Sequence, residues 1–265
     1  MLELNDPDAE CMIDFTYCIG ARLRGLSLVG RNLGQGVHGM LTRPRHTRES
    51  RPRYGADFPT IERCIIRGFT GNALDMAVEC MNVRSSAFGY NAGDGLNYRG
   101  ADAMVIDNWI SNNGGVGIRA TEGTGSSTFT ANRIEWNRGG NMVVRNAWGW
   151  NVTRNSFDRA GGPSLFLQGN CNDFTITGNV FLRSGALLRG TGGGNSMGVD
   201  RSLPEFDRCA VRIEGARGLV FTGNLLTVGG NDAGSRPAPN TPEYGAKTPT
   251  IQGKAVYQSG CVRDL

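Results

Sequence analysis

Glu135 and Asp158 are the residues of this 265-residue chain whose type and spacing most directly suggest chemistry. Each closes a short apolar run, Arg133-Ile134-Glu135 and Ser156-Phe157-Asp158, and the two acids lie 23 positions apart. Brought side by side, two carboxylates repel, so one is expected to hold its proton near neutral pH while the other stays ionised. One acid and one ionised partner are what cleavage at a glycosidic centre requires. The plain alternative is a solvated pair eased by Arg133, Arg138 or Arg159. Whether the acids meet depends on the elements that carry them.

Those elements are legible as a repeat of apolar, x, x, Asn, x, apolar. It runs through Val105-Ile106-Asp107-Asn108-Trp109-Ile110, Phe129-Thr130-Ala131-Asn132-Arg133-Ile134 and Val152-Thr153-Arg154-Asn155-Ser156-Phe157. It returns at Ile176-Thr177-Gly178-Asn179-Val180-Phe181 and Phe221-Thr222-Gly223-Asn224-Leu225-Leu226. The Asn residues step by 24, 23, 24 and 45, the last spanning two coils. Upstream, Ser86 and Cys64 hold the same position at 22-residue steps, and Leu26 holds it after an insertion. The runs are too short for helices and are broken by Gly. One such unit cannot bury its apolar side alone, whereas stacked units form parallel sheets around a continuous core. The reading is an all-β, right-handed parallel β-helix over residues 1–265, with coils of 22–24 residues. The Leu-x-x-Leu-x-Leu signature of a leucine-rich repeat is absent. The repeated Asn is expected to sit in a tight turn and bond to the Asn above it, a structural task with no catalytic role. Three segments, 43–58, 184–208 and 230–250, break the period and are expected to be loops that wall a groove.

This register converts sequence into neighbourhood. Three residues after the Asn position, successive coils present Val29, Arg67, Gly89, Ser111, Glu135, Asp158, Leu182 and Thr227. The acids are therefore expected on adjacent strands, about 5 Å apart. The following turn is Gly-rich, as in Tyr90-Asn91-Ala92-Gly93-Asp94-Gly95, Asn137-Arg138-Gly139-Gly140 and Arg159-Ala160-Gly161-Gly162. Glycine there allows a sharp corner and close ligand approach. Asp94 should stack on Asn72 along the edge that carries Glu135, with His38 nearby. Taken singly, an Asp between two Gly is usually a turn former and a lone His a surface residue. Trp136 follows Glu135 and should alternate away from it, with Trp109 and Tyr90 on neighbouring coils. Aromatic faces beside carboxylates suit sugar rings, although core packing or subunit contact explains them equally well. Arg67, Arg138 and His38 are candidate binders of sugar hydroxyls, with Asp94, Trp136 and Asn137 beside them.

Composition narrows the rest. The chain holds 40 Gly and is 39% hydrophobic, which suits a turn-rich folded body. The net charge of +4 comes from basic residues that are nearly all Arg, only Lys247 and Lys254 being lysine. They are scattered among 24 acids, so no nucleic-acid partner is expected. No apolar run reaches membrane-spanning length. The seven cysteines form no C-x-x-C pair and have no His at metal spacing, so they read as buried thiols and no metal or cofactor is expected. No Ser-His-Asp order, P-loop or dinucleotide fingerprint occurs.

Ile134-Glu135-Trp136-Asn137-Arg138, Phe157-Asp158-Arg159-Ala160-Gly161-Gly162-Pro163 and Ile176-Thr177-Gly178-Asn179-Val180-Phe181 resemble the inulin fructotransferases. So do Val37-His38-Gly39, Phe206-Asp207, Val211-Arg212-Ile213-Glu214-Gly215 and Arg217-Gly218-Leu219, and the likeness covers roughly residues 20–232. Similar phrases occur in other bacterial and phage β-helices. The resemblance implies a secreted, trimeric β-helix with active sites between subunits. It further implies cleavage of a β-2,1 fructan bond with ring closure to a difructose dianhydride, by a pair of acids and without metal. Glu135 matches one family acid, while Asp158 rests on coil stacking. The family's length implies that this chain lacks the first coils and a terminal cap, and Met1–Asp6 shows no export signal. Two rival readings are a polysaccharide lyase or phage-type depolymerase on the same fold, and a carbohydrate-binding solenoid without catalysis.

Overall fold

The computed structural model describes residues 1–43, 58–121, 123–182, 210–227, 251–252 and 255–256. Apart from Arg43 and Phe58, the segments 43–58 and 230–250 lie outside the described residues, as does 184–208 entirely. Among the described residues, short strands, mostly of three residues, recur three to a coil and build three parallel sheets of nine strands each. The chain is a right-handed parallel β-helix, as the repeat implies.

The sheet that carries the acids runs through Ile65–Arg67, Ala87–Gly89, Trp109–Ser111, Arg133–Glu135, Ser156–Asp158 and Val180–Leu182. Its pairing reproduces the expected column: Val29 with Arg67, Arg67 with Gly89, Gly89 with Ser111, Ser111 with Glu135, Glu135 with Asp158, and Asp158 with Leu182. In each strand the middle residue points inward. Ile66, Phe88, Ile110, Ile134, Phe157 and Phe181 are all fully buried, and the Phe157 and Phe181 rings stack at 4.8 Å. Dense interior packing of this kind leaves little freedom for one coil to slide on the next.

Hydrogen bonds in the turn fix the same register. Asn108 donates its backbone N–H and its side-chain amide to Asn132 Oδ1, both at 3.0 Å. The pattern passes from Asn132 to Asn155, to Asn179 and to Asn224. Each amide also donates to a backbone carbonyl, Asn132 to Val105 O at 2.8 Å and Asn155 to Phe129 O at 2.9 Å. Ser86 and Cys64 extend the ladder upstream, Cys64 N–H donating to Ser86 Oγ and Ser86 N–H to Asn108 Oδ1. The residue before each ladder position is left-handed, with φ of 56° at Asp107, 57° at Ala131 and 55° at Arg154. That turn lets one amide reach both the next coil and the carbonyl behind it.

A second ladder, five residues further on, was not anticipated. Asn91 bonds to Asn113 Oδ1 and Asn113 to Asn137 Oδ1, the latter amide at 2.9 Å. Asn137 donates to Ile110 O and to Asn141 Oδ1, both at 3.1 Å. The two ladders brace the Glu135 strand at both ends, and Asn141 donates to the Asp158 carbonyl at 3.2 Å at the end of the next strand. Among the described cysteines, Cys64 and Cys171 are buried as expected, whereas Cys18 is exposed. Burial, the larger effect, raises the Cys171 thiol pKa against opposing backbone hydrogen bonds.

Replacing Asn132 by Ala takes the shared acceptor from two buried N–H groups of Asn108, its backbone amide and one arm of its side chain. The expected loss in urea unfolding is about 2–4 kcal/mol, at roughly 1–3 per orphaned group. Ala131→Gly should instead relieve left-handed strain and add up to about 1 kcal/mol, read in the same titration.

Candidate active site

Glu135 and Asp158 are Cα partners on adjacent strands and stand in an outward-facing column, yet they are 2% and 4% exposed. Two tryptophan–arginine stacks flank them. On the strand side, the Arg133 guanidinium lies 5.5 Å from the Trp109 ring centre. Arg133 Nε donates to Glu135 Oε1 at 3.0 Å, and Trp109 Nε1 donates to the same oxygen at 2.9 Å. On the turn side, the Arg159 guanidinium lies 4.5 Å from the Trp136 ring centre and donates to Asp158 Oδ2 at 2.6 Å. Each acid therefore has its own cation. Of the arginines expected to ease repulsion in the pair, Arg133 and Arg159 make the contacts, and Arg138 makes none to either acid among the described residues.

The balance is uneven in one respect. Glu135 Oε1 accepts two hydrogen bonds, while Oε2 is buried and has no partner among the described residues. A buried carboxylate oxygen without a donor is costly, by about 1–3 kcal/mol or more. The buried Asp158–Arg159 pair adds a desolvation penalty that such pairs seldom recover in stability. Costs of this kind concentrate at functional sites.

Strand alternation would turn Trp136 away from the acids. A left-handed φ of 59° ends the strand at that residue, and φ of 49° repeats the turn at Arg159. The Trp136 ring thereby meets the guanidinium that holds Asp158. Arg133 and Arg159 are two of the three arginines that sequence reading set beside the acids, whereas the Trp109 Nε1 contact was not assigned. A signal for it existed: Trp109-x-Ser111 and Arg133-x-Glu135 occupy one register, so Trp109 and Arg133 share the outer face with the acid column.

The other expected site residues are distributed differently. Asn137 is corrected from substrate binder to structural residue, because it is fully buried and both ends of its amide serve the second ladder. Asp94 and His38 do fall in one file, with Asn72 N–H donating to His38 Nδ1 at 3.0 Å and Asp94 N–H to Asn72 Oδ1 at 2.7 Å. The glycines matter here. A Cβ on Gly93 would sit 2.4 Å from Asn72 Oδ1, and one on Gly115 would sit 2.1 Å from Asp94 Oδ1. The Asp94 carboxylate is fully engaged, accepting from Val116 N–H at 2.6 Å and from Arg119 Nε at 2.6 Å. Asp75 extends the network, bonded by Asn72, Asn97 and Arg99. Asp94 is thus a turn former held by Arg119, and no contact joins it to Glu135 among the described residues. His38 lies four strands from the coil of Glu135 along its sheet, about 19 Å at the usual strand spacing. Arg67 is exposed and three strands from Glu135, about 14 Å away, too far to share its ligand contacts. Arg138 is exposed beside the site and makes no side-chain ion pair among the described residues. No group of three or more His, Cys, Asp or Glu among the described residues stands close enough to hold a metal ion.

The sequence pattern described as the right-handed β-helix region matches residues 53–233. The chain belongs to that family. Solved structures similar to this β-helix include a DFA-IIIase mutant from Arthrobacter chlorophenolicus A6 in complex with DFA-III, 14% identical with a TM-score of 0.49. The match covers 81% of this chain and 60% of that one. The Dettilon tailspike protein is 13% identical at a TM-score of 0.47, covering 84% and 59% of the two chains. The mannuronan C-5 epimerase AlgE4 A-module from Azotobacter vinelandii is 15% identical at 0.43, covering 77% and 63%. This β-helix therefore spans about three fifths of the length of each. No curated protein matches the sequence.

The network assignment of Asp94 predicts a stability phenotype. Asp94→Ala should lower unfolding stability by about 2 kcal/mol through lost charge-assisted bonds, whereas Arg67→Ala should change it by no more than about 0.5 kcal/mol. Equal small losses in chemical denaturation would contradict the assignment.

Proposed function

We propose that this β-helix acts on a polysaccharide through Glu135 and Asp158, and that the substrate is an inulin-type fructan converted to a cyclic difructose dianhydride. The observation that carries the glycan reading is a buried acid pair in which Glu135 Oε2 has no partner among the described residues. The fructan assignment is supported by the likeness of Ile134-Glu135-Trp136-Asn137-Arg138 and Phe157-Asp158-Arg159-Ala160-Gly161-Gly162 to inulin fructotransferases.

The chemistry follows from spacing. Adjacent parallel strands sit about 4.8 Å apart. Carboxyl groups that keep this backbone spacing match the roughly 5 Å separation of retaining glycosidases, short of the ~6.5–9.5 Å that admits a water between the acids. Glu135 gives a proton to the departing glycosidic oxygen through Oε2. Asp158, compensated by Arg159, stabilises the oxocarbenium-like fructosyl centre or bonds to it. A hydroxyl of the neighbouring fructose then attacks and returns its proton to Glu135. Both partners of the new bond come from one bound chain end, so holding them in contact replaces a bimolecular step. Trp109 and Trp136 border the acids with apolar faces suited to sugar C–H surfaces. Arg138, exposed beside them, is placed to meet a sugar hydroxyl. Secretion and a homotrimer with sites between subunits belong to the same reading.

The test is product analysis after incubation with inulin, comparing wild type with Glu135→Gln and Asp158→Asn. Wild type should release a cyclic dianhydride, and each variant should lose about 100-fold or more in kcat. Full activity in both folded variants would sink the assignment. Unsaturated sugar in the product would instead support a lyase, and binding without turnover a carbohydrate-binding solenoid.

A further inference from the structure

We infer that Trp109 is the positioning residue of Glu135, fixing which carboxylate oxygen faces the substrate. The inference rests on the proposed role of Glu135 and adds the device that orients it. Three contacts close a triangle. Trp109 Nε1 donates to Glu135 Oε1 at 2.9 Å, Arg133 Nε reaches the same oxygen at 3.0 Å, and the Arg133 guanidinium stacks on the Trp109 ring at 5.5 Å. Both donors converge on Oε1, so Oε2 alone is left for a ligand, and it is the buried oxygen without a partner.

The triangle also explains a contrast in exposure. Trp109 is 52% exposed and the Arg133 side chain 61%, whereas the carboxylate they hold is nearly sealed. The indole is the part of the triangle that an arriving sugar can touch, and its N–H is the part that grips the acid. A sugar packed on the ring would settle the indole and, through one hydrogen bond, the direction of Oε2. Trp109 acts through Glu135 and takes no part in bond making.

The experiment uses the full-length protein. Its four tryptophans give four indole N–H signals in a ¹⁵N–¹H spectrum, and Trp109→Phe identifies one by its loss. Glu135→Gln should shift that signal, while Asp158→Asn should leave it in place. With inulin as substrate, Trp109→Phe keeps an aromatic face but no donor. Its kcat should fall about tenfold with KM within twofold, and the alkaline limb of its pH–rate profile, where the general acid loses its proton, should move, since one charge-assisted hydrogen bond to Glu135 is gone. A Trp109 signal indifferent to Glu135→Gln overturns the inference whether or not inulin is turned over. So does a Trp109→Phe variant with unchanged kcat and pH profile. A wild type that ignores inulin while the signal still shifts supports the clamp and defeats only the fructan reading.

Discussion

The hydrogen bond from one coil's amide to the next coil's asparagine oxygen is the constraint on which the rest of this molecule depends. Asn108, Asn132, Asn155, Asn179 and Asn224 each hand the same atom to the coil before, so the register cannot drift by a residue without orphaning buried groups. A slip of one position would turn the acid column from the outer face into the core. The ladder therefore does more than stabilise the turn. It decides that positions 135 and 158 are neighbours.

Given that neighbourhood, electrostatics sets the character of the site. Stacked like charges are tolerated because each carboxylate meets its own guanidinium, and each guanidinium rests on an indole from the preceding coil. Cation–π contact and ion pairing together hold the cations in place and leave Glu135 Oε2 without a donor among the described residues. The asymmetry between the acids follows: Glu135 is gripped at one oxygen only, while Asp158 is bound to a buried partner. Two chemically similar groups are thereby given different environments, the usual route to different roles at one centre.

Much of this was legible in the chain, and what was not has physical reasons. The Asn steps of 22–24 residues announce the coil, and the column from Val29 to Thr227 follows by counting. Left-handed backbone at Trp136 and Arg159 was not legible, because neither residue type favours it; the turn imposes it, with the ladder residue Asn137 directly after Trp136 and the buried Ala160 in the same place after Arg159. Asn137 illustrates the same limit, since an asparagine in a Gly-rich turn looks available to ligand until a second ladder claims both its ends. Asp94 and His38 were placed in the right file, but the distance along the solenoid axis and the Arg119 contact separate them from the acids. Counting registers fixes neighbours along a column. It does not reveal which side chains bridge between columns, as Trp109 does to Glu135.

The central claim is that Glu135 and Asp158 work as one catalytic unit on a glycan. Its most direct measurement is the kcat on inulin of Glu135→Gln, Asp158→Asn and the double variant. If the acids act together, the double variant should be no slower than the worse single variant by more than a few-fold. Losses that multiply, or a double variant that still turns over at the wild-type rate, would contradict the account.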